Sequence, residues 1–466
     1  MAAAKHSLTV VILAAGEGKR MRSRQPKVLH PLCGRPLIAY PLRAAMTLAD
    51  RFVVVGPPDT PALREALPPD VRIVEQRERL GTGHAILQAK AECGEGTILV
   101  LPGDMPLISA DTLDRLLRHH HATRAAATIL TAVVDRPQGY GRVLRQGGRV
   151  KRVVEDRDAT DDEKKVAEIN TSVYCFEAER LWSTLAEVKP DNDQGEYYLP
   201  DLIGILNRRG VRVEGVPVED PRDALGVNDR KQLAVAAAVQ RTRILDRLME
   251  SGVTVLDPAT TFVEDTVTIG TDTVIHPHVV VEGPSIIGSD CVIGAGSHLT
   301  RATLGERVQL KPYCVLGDCT VEDDAILGPF CHLRPQARVG AGAHIGNFVE
   351  LKNTRLGKGA KANHLAYLGD ATIGDGVNIG AGAITCNYDG LNKHPTTIGD
   401  GAFVGTNASL VAPITIGSNA YIGAGSTVTK DVPPGALVVE RSVPVVKDGW
   451  GERRAVERAA KKKKKG

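Results

Sequence analysis

Ile269-Gly270, Ile275-His276, Val281-Glu282, Ile287-Gly288 and Ile293-Gly294 set one aliphatic residue at every sixth position. The phase slips, resumes at Leu304-Gly305, Leu310-Lys311 and Leu316-Gly317, and continues through Val339-Gly340, Ile345-Gly346, Ile373-Gly374 and Ile379-Gly380. It ends with Ile398-Gly399, Val404-Gly405, Ile416-Gly417 and Ile422-Gly423. This spacing is too sparse for the apolar stripe of an α-helix and too regular for an open sheet. It suits a coil of three short strands per turn, each pointing one aliphatic side chain inward, with a small residue at the corner. Stacked turns then bury a continuous column. A glycine-rich loop region would not hold phase from Val263 to Val432. A β-solenoid is therefore expected over residues 252–437.

The chain before it alternates differently. Apolar runs at Thr9-Leu13, Phe52-Gly56, Arg72-Val74, Ile98-Leu101 and Ala127-Val134 read as strands. Helical patterns separate them at Pro36-Ala49, Ala62-Ala66, Gly83-Ala91 and Ala110-His121. That order implies an α/β domain over residues 1–228, a mostly parallel sheet between helices with ligands at the strands' carboxyl ends. Asn228 to Ser251 is rich in Ala, Arg and Leu, and Gly252 is placed to end a helix, so 229–251 is read as a linking helix. Residues 438–466 form an arm ending in Lys461 to Lys465, expected to be a disordered, solvated tail.

Bulk composition narrows the classes. The 466 residues are 42% hydrophobic and 24% charged, as in an ordinary soluble protein of two or three domains. A net charge of +3 with 4% aromatics lacks the basic, aromatic-interleaved face of a nucleic-acid binder. No apolar stretch reaches the length of a membrane span. The run Leu8 to Ala15 is short and ends in Gly16-Glu17-Gly18-Lys19-Arg20, which reads as a buried first strand and not a signal peptide. The eight cysteines show no Cys-x-x-Cys pair, which fits free thiols in a reducing cytoplasm.

The first chemical signal is Leu13-Ala14-Ala15-Gly16-Glu17-Gly18-Lys19-Arg20-Met21, followed by Pro26-Lys27. A glycine-rich turn directly after a strand lets backbone N–H groups approach a phosphate chain, with Arg20 and Lys27 adding charge. Met21 stands where a dinucleotide fingerprint would need its third glycine, which discounts NAD. The whole string resembles the signature of the sugar nucleotidyltransferases. Gln76 with Leu80-Gly81-Thr82-Gly83-His84-Ala85 resembles their uracil-reading segment, and Pro102-Gly103-Asp104 follows a strand that would place Asp104 at its carboxyl end. Gly139-Tyr140-Gly141-Arg142, Val154-Glu155, Glu168-Ile169-Asn170-Thr171 and Gly226-Val227-Asn228 resemble the sugar-binding segments and a second metal ligand. The resemblance implies a Rossmann-like mixed sheet, with Leu13, Ala14, Ala15, Gly16 and Lys27 on the nucleotide. It places Gln76, Gly81 and Thr82 on the base, Gly141, Glu155, Asn170 and Asn228 at the nucleotide sugar site, and Mg²⁺ on Asp104 and Asn228. Arg20 and Lys27 would be the catalytic cations of uridylyl transfer from UTP.

The second signal lies inside the repeat. Arg334, Lys352, His364, Tyr367, Asn378 and Lys393 are basic or polar residues on coils that need none, and stacked coils would hold them roughly 5 Å apart. Arg334 and Lys352 suit a phosphate monoester; Tyr367 and Asn378 suit sugar hydroxyls. The phase breaks at Thr385-Cys386-Asn387-Tyr388-Asp389-Gly390-Leu391-Asn392-Lys393-His394, a loop of the kind that carries function. The repeat resembles the hexapeptide acyltransferases, whose coil is a left-handed parallel β-helix. Arg334-Pro335, Gly346 to Glu350, His364 to Asp370 and Asn387 to Gly390 resemble more narrowly the acetyltransferase half of the bifunctional bacterial N-acetylglucosamine-1-phosphate uridyltransferases. With both halves matched, the resemblance covers nearly the whole chain.

That family's properties imply His364 as general base, oriented by Glu350. They imply Arg334, Lys352, Tyr367, Asn378 and Lys393 on the acetyl acceptor, glucosamine 1-phosphate. Ala381, Asn387, Tyr388, Thr406, Ala424 and Arg441 would contact acetyl-CoA. The product, N-acetylglucosamine 1-phosphate, would then be joined to UTP to give UDP-N-acetylglucosamine, a bacterial envelope precursor. A cytoplasmic homotrimer is also implied. Three other readings stay open on sequence: a single-activity nucleotidyltransferase with an assembly solenoid, a non-enzymatic assembly subunit, and a metal-dependent hydratase. The last needs a third histidine beside His276 and His278, and none lies at a matching coil offset.

Overall fold

The structure, a computed structural model, describes residues 7–440 and 444–463. The chain divides into two compact units, Met1–Arg247 with Val263–Thr266, and Leu248–Phe262 with Val267–Gly466. The division falls near the end of the linking helix Arg230–Glu250, and a short return segment from the second stretch belongs to the first unit.

The first unit is built on a nine-stranded sheet. Its path runs Val213–Pro217, Ala127–Val133, Glu168–Glu177, Thr97–Pro102, Leu8–Leu13, Arg51–Gly56 and Arg72–Glu75. Glu168–Glu177 is antiparallel to both neighbours, and the other pairs along this path are parallel. The apolar runs of the sequence have their cause here. Val10, Ile12, Val54, Leu99 and Leu101 pack on one face, while Val11, Val53, Val55, Ile98 and Val100 pack on the other. A sheet covered on both faces cannot alternate polar and apolar residues. The helices Ala39–Ala45, Pro61–Glu65 and Ala110–Thr123 cover one side, and Thr82–Gln88, Ala178–Leu185 and Asp201–Arg208 the other. Leu8–Leu13 lies between Arg51–Gly56, which follows it in sequence, and Thr97–Pro102, to which the chain crosses back. Loops leaving these two strands diverge there, which opens a crevice at their carboxyl ends.

Two sequence expectations need correction. The helix expected over Pro36-Ala49 is only Ala39–Ala45, because Arg35–Pro36 pairs with Pro31–Leu32 in a small antiparallel ladder. The long strand Glu168–Glu177, the hairpin Arg142–Gln146 with Arg149–Val154, and the helices Ala178–Leu185 and Asp201–Arg208 had not been read from sequence.

The second unit is a parallel β-helix whose strands fall into three sheets of 11, 10 and 9 strands. This is the solenoid expected from the phase, with the left-handed hexapeptide-repeat architecture that the family resemblance implied. Every aliphatic residue that defined the repeat is buried, and each contributes about 1.5–3 kcal/mol of transfer free energy. The slips also have an explanation. Ile326 pairs with His344 and His344 with Lys361, steps of 18 and then 17 residues. Val281 to Ile287, Leu333 to Val339 and Leu410 to Ile416 keep the six-residue spacing of buried residues. Leu299 to Leu304, Leu316 to Val321, Leu351 to Leu356 and Leu368 to Ile373 shorten it to five. The shortening always falls between the strands of the ten-stranded sheet and those of the nine-stranded sheet. The 386–394 loop leaves the coil at that same corner.

Beyond the coils Trp450–Lys463 is helical, where a disordered tail had been expected from Lys461. Ala, Lys, Arg and Glu are strong helix formers, and an Arg454–Glu457 ion pair at 2.9 Å adds to them.

Two candidate active sites

In the first unit the glycine-rich turn leaves Leu8–Leu13 and folds into the short 3₁₀ segment Lys19–Met21. Gly18 holds φ 63, and a Cβ there would lie 2.7 Å from the Lys27 Cβ, so only glycine lets the turn close over Lys27. Gly103 N donates to Leu13 O at 2.9 Å, tying Pro102-Gly103-Asp104 to the end of the first strand. Val227 N donates to Asp104 O at 2.8 Å and brings Asn228 alongside. Lys27 Nζ then bonds the Asp104 carboxylate and, at 3.1 Å, Asn228 Oδ1. Three residues drawn from positions 27, 104 and 228 thus meet at one point.

Two clefts share that point. One, of about 590 Å³, is lined by Leu13, Ala15, Gly16, Gln76, Gly81, Thr82 and Asp104. The other, about 190 Å³, is lined by Arg20, Asp104, Gly141, Glu155, Asn170 and Asn228. Ala14 is not among the lining residues: it is buried in the sheet core, with its amide donating to Val55 O. The Thr82 hydroxyl accepts from Leu199 N at 3.0 Å and keeps its own hydrogen to donate. A register shift between Asn170 and Tyr174, with Ser172 at φ 62, makes a bulge in Glu168–Glu177 beside the clefts. Asn170 Oδ1 accepts from Ser172 N and from the Tyr174 hydroxyl, which fixes its amide. Glu17, Arg79, Ser172 and Glu196 also line the larger cleft. Sequence reasoning had not selected them, although Glu17 lies inside a motif it quoted and Arg79 directly precedes another.

Burial, then the charges of Asp158, Asp201 and Asp156, push the Glu155 carboxyl up to about 7. The folded state therefore holds this proton far above the usual carboxyl pKa of about 4.3. Stability from this group is greatest below that pKa, falls as pH rises toward 7, and is then flat. Glu155→Gln removes the penalty. Thermal unfolding should show the variant gaining on the wild type more at pH 8 than at pH 5; an equal gap at both would refute the assignment.

In the β-helix, Asn347 and His364 are register partners on adjacent coils, and His364 Nδ1 lies 2.9 Å from Asn347 Oδ1. An amide oxygen can only accept, so Nδ1 carries the hydrogen and Nε2 keeps its lone pair. The ring is exposed. Glu350 had been expected to orient His364, but it accepts from Arg334 Nη1 at 2.8 Å instead; Asn347 holds the ring. Lys352 lies against Lys393 and near Arg334, and the bond to Lys393 with these like charges holds its ammonium below the usual range. Such a cluster of cations is stabilised by an anion. Tyr367 follows Glu350 in register, and Asn378 sits on the coil after Lys361.

Ala381, Thr406 and Ala424 occupy on later coils the corner position that His364 occupies on its own, each two residues beyond a buried column residue. Asn387 is buried, with Nδ2 donating to Asp370 Oδ2 at 2.5 Å, and so pins the loop whose exposed Tyr388 bridges to Lys393. Arg441 lies outside the described residues.

Comparison with known proteins separates the same two parts. Residues 10–198 match the MobA-like NTP transferase domain, and residues 266–301, 318–353 and 395–430 match the bacterial transferase hexapeptide of six repeats. The bifunctional protein GlmU of Brevibacillus brevis is 48% identical over 442 residues, covering 94% of this chain and 95% of its own. The GlmU proteins of Heliobacterium modesticaldum and Trichlorobacter lovleyi are 46% and 47% identical, covering 96% and 94% of this chain and 98% and 97% of theirs.

The chain belongs to the GlmU family.

It is a bifunctional transferase, joining a nucleotidyltransferase domain to a hexapeptide-repeat acyltransferase domain. The stretches of this GlmU-family solenoid that match the six-repeat pattern are those holding 18-residue coils. The unmatched stretches between them, 302–317 and 354–394, hold the 17-residue coils and the loop. Tight coil contact also supports the His364 site. A Cβ on Gly346 would lie 1.8 Å from the Asn363 carbonyl oxygen, directly before Asn347 and His364. Gly346→Ala should cost about 1–3 kcal/mol of stability. It should also slow acetyl transfer by about tenfold or more, because small misplacements are costly in a positioned site. Calorimetry and a coenzyme A release assay would check both. Normal rates in a stable variant would show that this contact does not position His364.

Proposed function

We propose that the chain makes UDP-N-acetylglucosamine in two steps. At the β-helix site, Arg334, Lys352 and Lys393 bind the phosphate of glucosamine 1-phosphate, with Tyr367 and Asn378 on the sugar. The amine attacks the acetyl-CoA carbonyl, His364 Nε2 takes the amine proton, and coenzyme A leaves as its thiolate. The coenzyme runs along the corner row of Ala381, Thr406 and Ala424, beside Asn387 and Tyr388. The single observation that carries this half is His364, exposed and held by Asn347 with its Nε2 lone pair available.

At the other site the 1-phosphate oxygen of N-acetylglucosamine 1-phosphate attacks the α-phosphorus of UTP in line, and pyrophosphate leaves. Gln76, Gly81 and Thr82 face the base, while Gly141, Glu155 and Asn170 face the sugar. Arg20 and Lys27 neutralise charge on the phosphates, so positioning and electrostatics supply the acceleration. Asp104 and Asn228 offer hard oxygen donors that already converge on a cation, the Lys27 ammonium. That fits Mg²⁺, which takes one or two protein oxygens and fills its shell with phosphate and water. When bound, Mg²⁺ would screen the triphosphate charge.

The exposed edge formed by Tyr313, Phe330, Phe348 and Leu365 supports a homotrimer in which another solenoid covers it. Its first three rings stack with centroids 5.3 and 5.5 Å apart. No described helix is long and apolar enough to cross a membrane, and a cytoplasmic site of action is part of this proposal. The test supplies acetyl-CoA, glucosamine 1-phosphate, UTP and Mg²⁺ together and identifies products by mass spectrometry. UDP-N-acetylglucosamine, coenzyme A and pyrophosphate are expected. UDP-sugar formed only from preacetylated substrate would leave a single-activity enzyme; no product from either would point to an assembly role.

A further inference from the structure

Gln76 is almost fully buried at the wall of the larger cleft, and both hydrogens of its side-chain amide are spent. Nε2 donates to Gly81 O at 3.1 Å and lies 3.2 Å from His84 Nδ1. The Gly81 carbonyl can only accept, so the atom facing it must be the nitrogen; this settles which way the amide points. With both N–H groups engaged, Oε1 is the polar atom Gln76 has left to offer the cleft. It is a hydrogen-bond acceptor. Uracil presents N3–H, a donor, whereas cytosine has an acceptor at the same ring position. An amide turned over would present N–H instead and would suit cytosine.

We infer that His84 is a positioning residue for base selectivity, its Nδ1 lone pair locking the Gln76 amide so that an acceptor faces the base. The inference rests on the reading that this cleft takes UTP. The lock demands one tautomer. Nδ1 must be unprotonated, so Nε2 carries the hydrogen; Gln88, whose Nε2 stands 3.1 Å from His84 Nε2 and 3.2 Å from the His84 carbonyl oxygen, must turn its amide over to accept it. His84 also lines a second pocket of about 290 Å³ with Leu80, Leu87, Leu185, Val188 and Tyr197. No part of His84 need touch the nucleotide for this to operate.

The test compares kcat/KM for UTP and for CTP, with N-acetylglucosamine 1-phosphate as acceptor, in the wild type, His84→Phe and His84→Asn. Phe fills the space without an acceptor; the Asn side-chain oxygen can stand where Nδ1 stood. The UTP-to-CTP ratio should fall about tenfold in His84→Phe, the scale of one lost hydrogen bond, and stay within about threefold of wild type in His84→Asn. A wild-type ratio in His84→Phe, or an equal fall in both variants, overturns the inference. Should His84→Phe not fold, ¹⁵N NMR of histidine-labelled wild type decides, with His84→Asn identifying the signal. A pyridine-like Nδ1 supports the lock and a pyrrole-like Nδ1 overturns it. A wild type that uses another nucleotide and not UTP would overturn the reading of the cleft itself, a result separate from any change in ratio.

Discussion

His364→Ala is expected to lower acetyl transfer by about 10²–10⁴-fold, the range for loss of a general base, with uridylyl transfer within about twofold of wild type. The expectation follows from one hydrogen bond. Asn347 accepts from Nδ1 and leaves Nε2 as the only basic nitrogen on an exposed ring. The amine of an amino sugar must lose a proton as it attacks a thioester, and this nitrogen is placed to take it. Coenzyme A release and UDP-sugar formation, measured separately on the same preparation, decide the matter. Equal loss of both activities would mean that the two reactions do not have separate sites. Asn347→Leu supplies a second test, since it frees the ring without removing it, and should slow acetyl transfer less than His364→Ala does.

Asp104→Ala should have the complementary effect, a fall of about 10²–10³-fold in UDP-sugar formation, as when one preorganised electrostatic contact is removed. Acetyl transfer should be untouched. Asp104 sits at the end of Thr97–Pro102, where the chain switches sides of the sheet, and its carboxylate pairs with Lys27. On the proposed reading two losses coincide in the variant: an oxygen for the metal and the partner that anchors Lys27. Asp104→Asn separates them, because it keeps an oxygen but not the charge, and its activity should rise with added Mg²⁺ over a range where the wild type is saturated. Normal UDP-sugar synthesis by Asp104→Ala would remove this residue from the metal site.

How much of this was legible beforehand depended on how local each signal was. The solenoid was readable because its period repeats in the chain itself: Ile287, Ile293 and their successors each occupy the same environment. The parallel strands were readable as apolar runs because both faces of the sheet are covered. Glu168–Glu177 escaped because it carries Asn170, Thr171 and Ser172 within a bulge, so its pattern reads as a loop. The meeting of Lys27, Asp104 and Asn228 was suggested by motif order, but their convergence depends on backbone bonds such as Val227 N to Asp104 O that no spacing encodes. Glu350 was mistaken for the partner of His364 for a related reason. Glu350 lies on the sheet of Arg334 and Tyr367, whereas Asn347 lies on the sheet of His364 itself, and only the register distinguishes them.

Every five-residue step among the solenoid's buried positions, together with the 386–394 excursion, falls at a single corner of the coil. That edge behaves as an expansion joint. Single-residue deletions or grafted peptides inserted there should leave the other two edges in alignment, including the one that carries His364, while equivalent changes elsewhere would throw every later turn out of step.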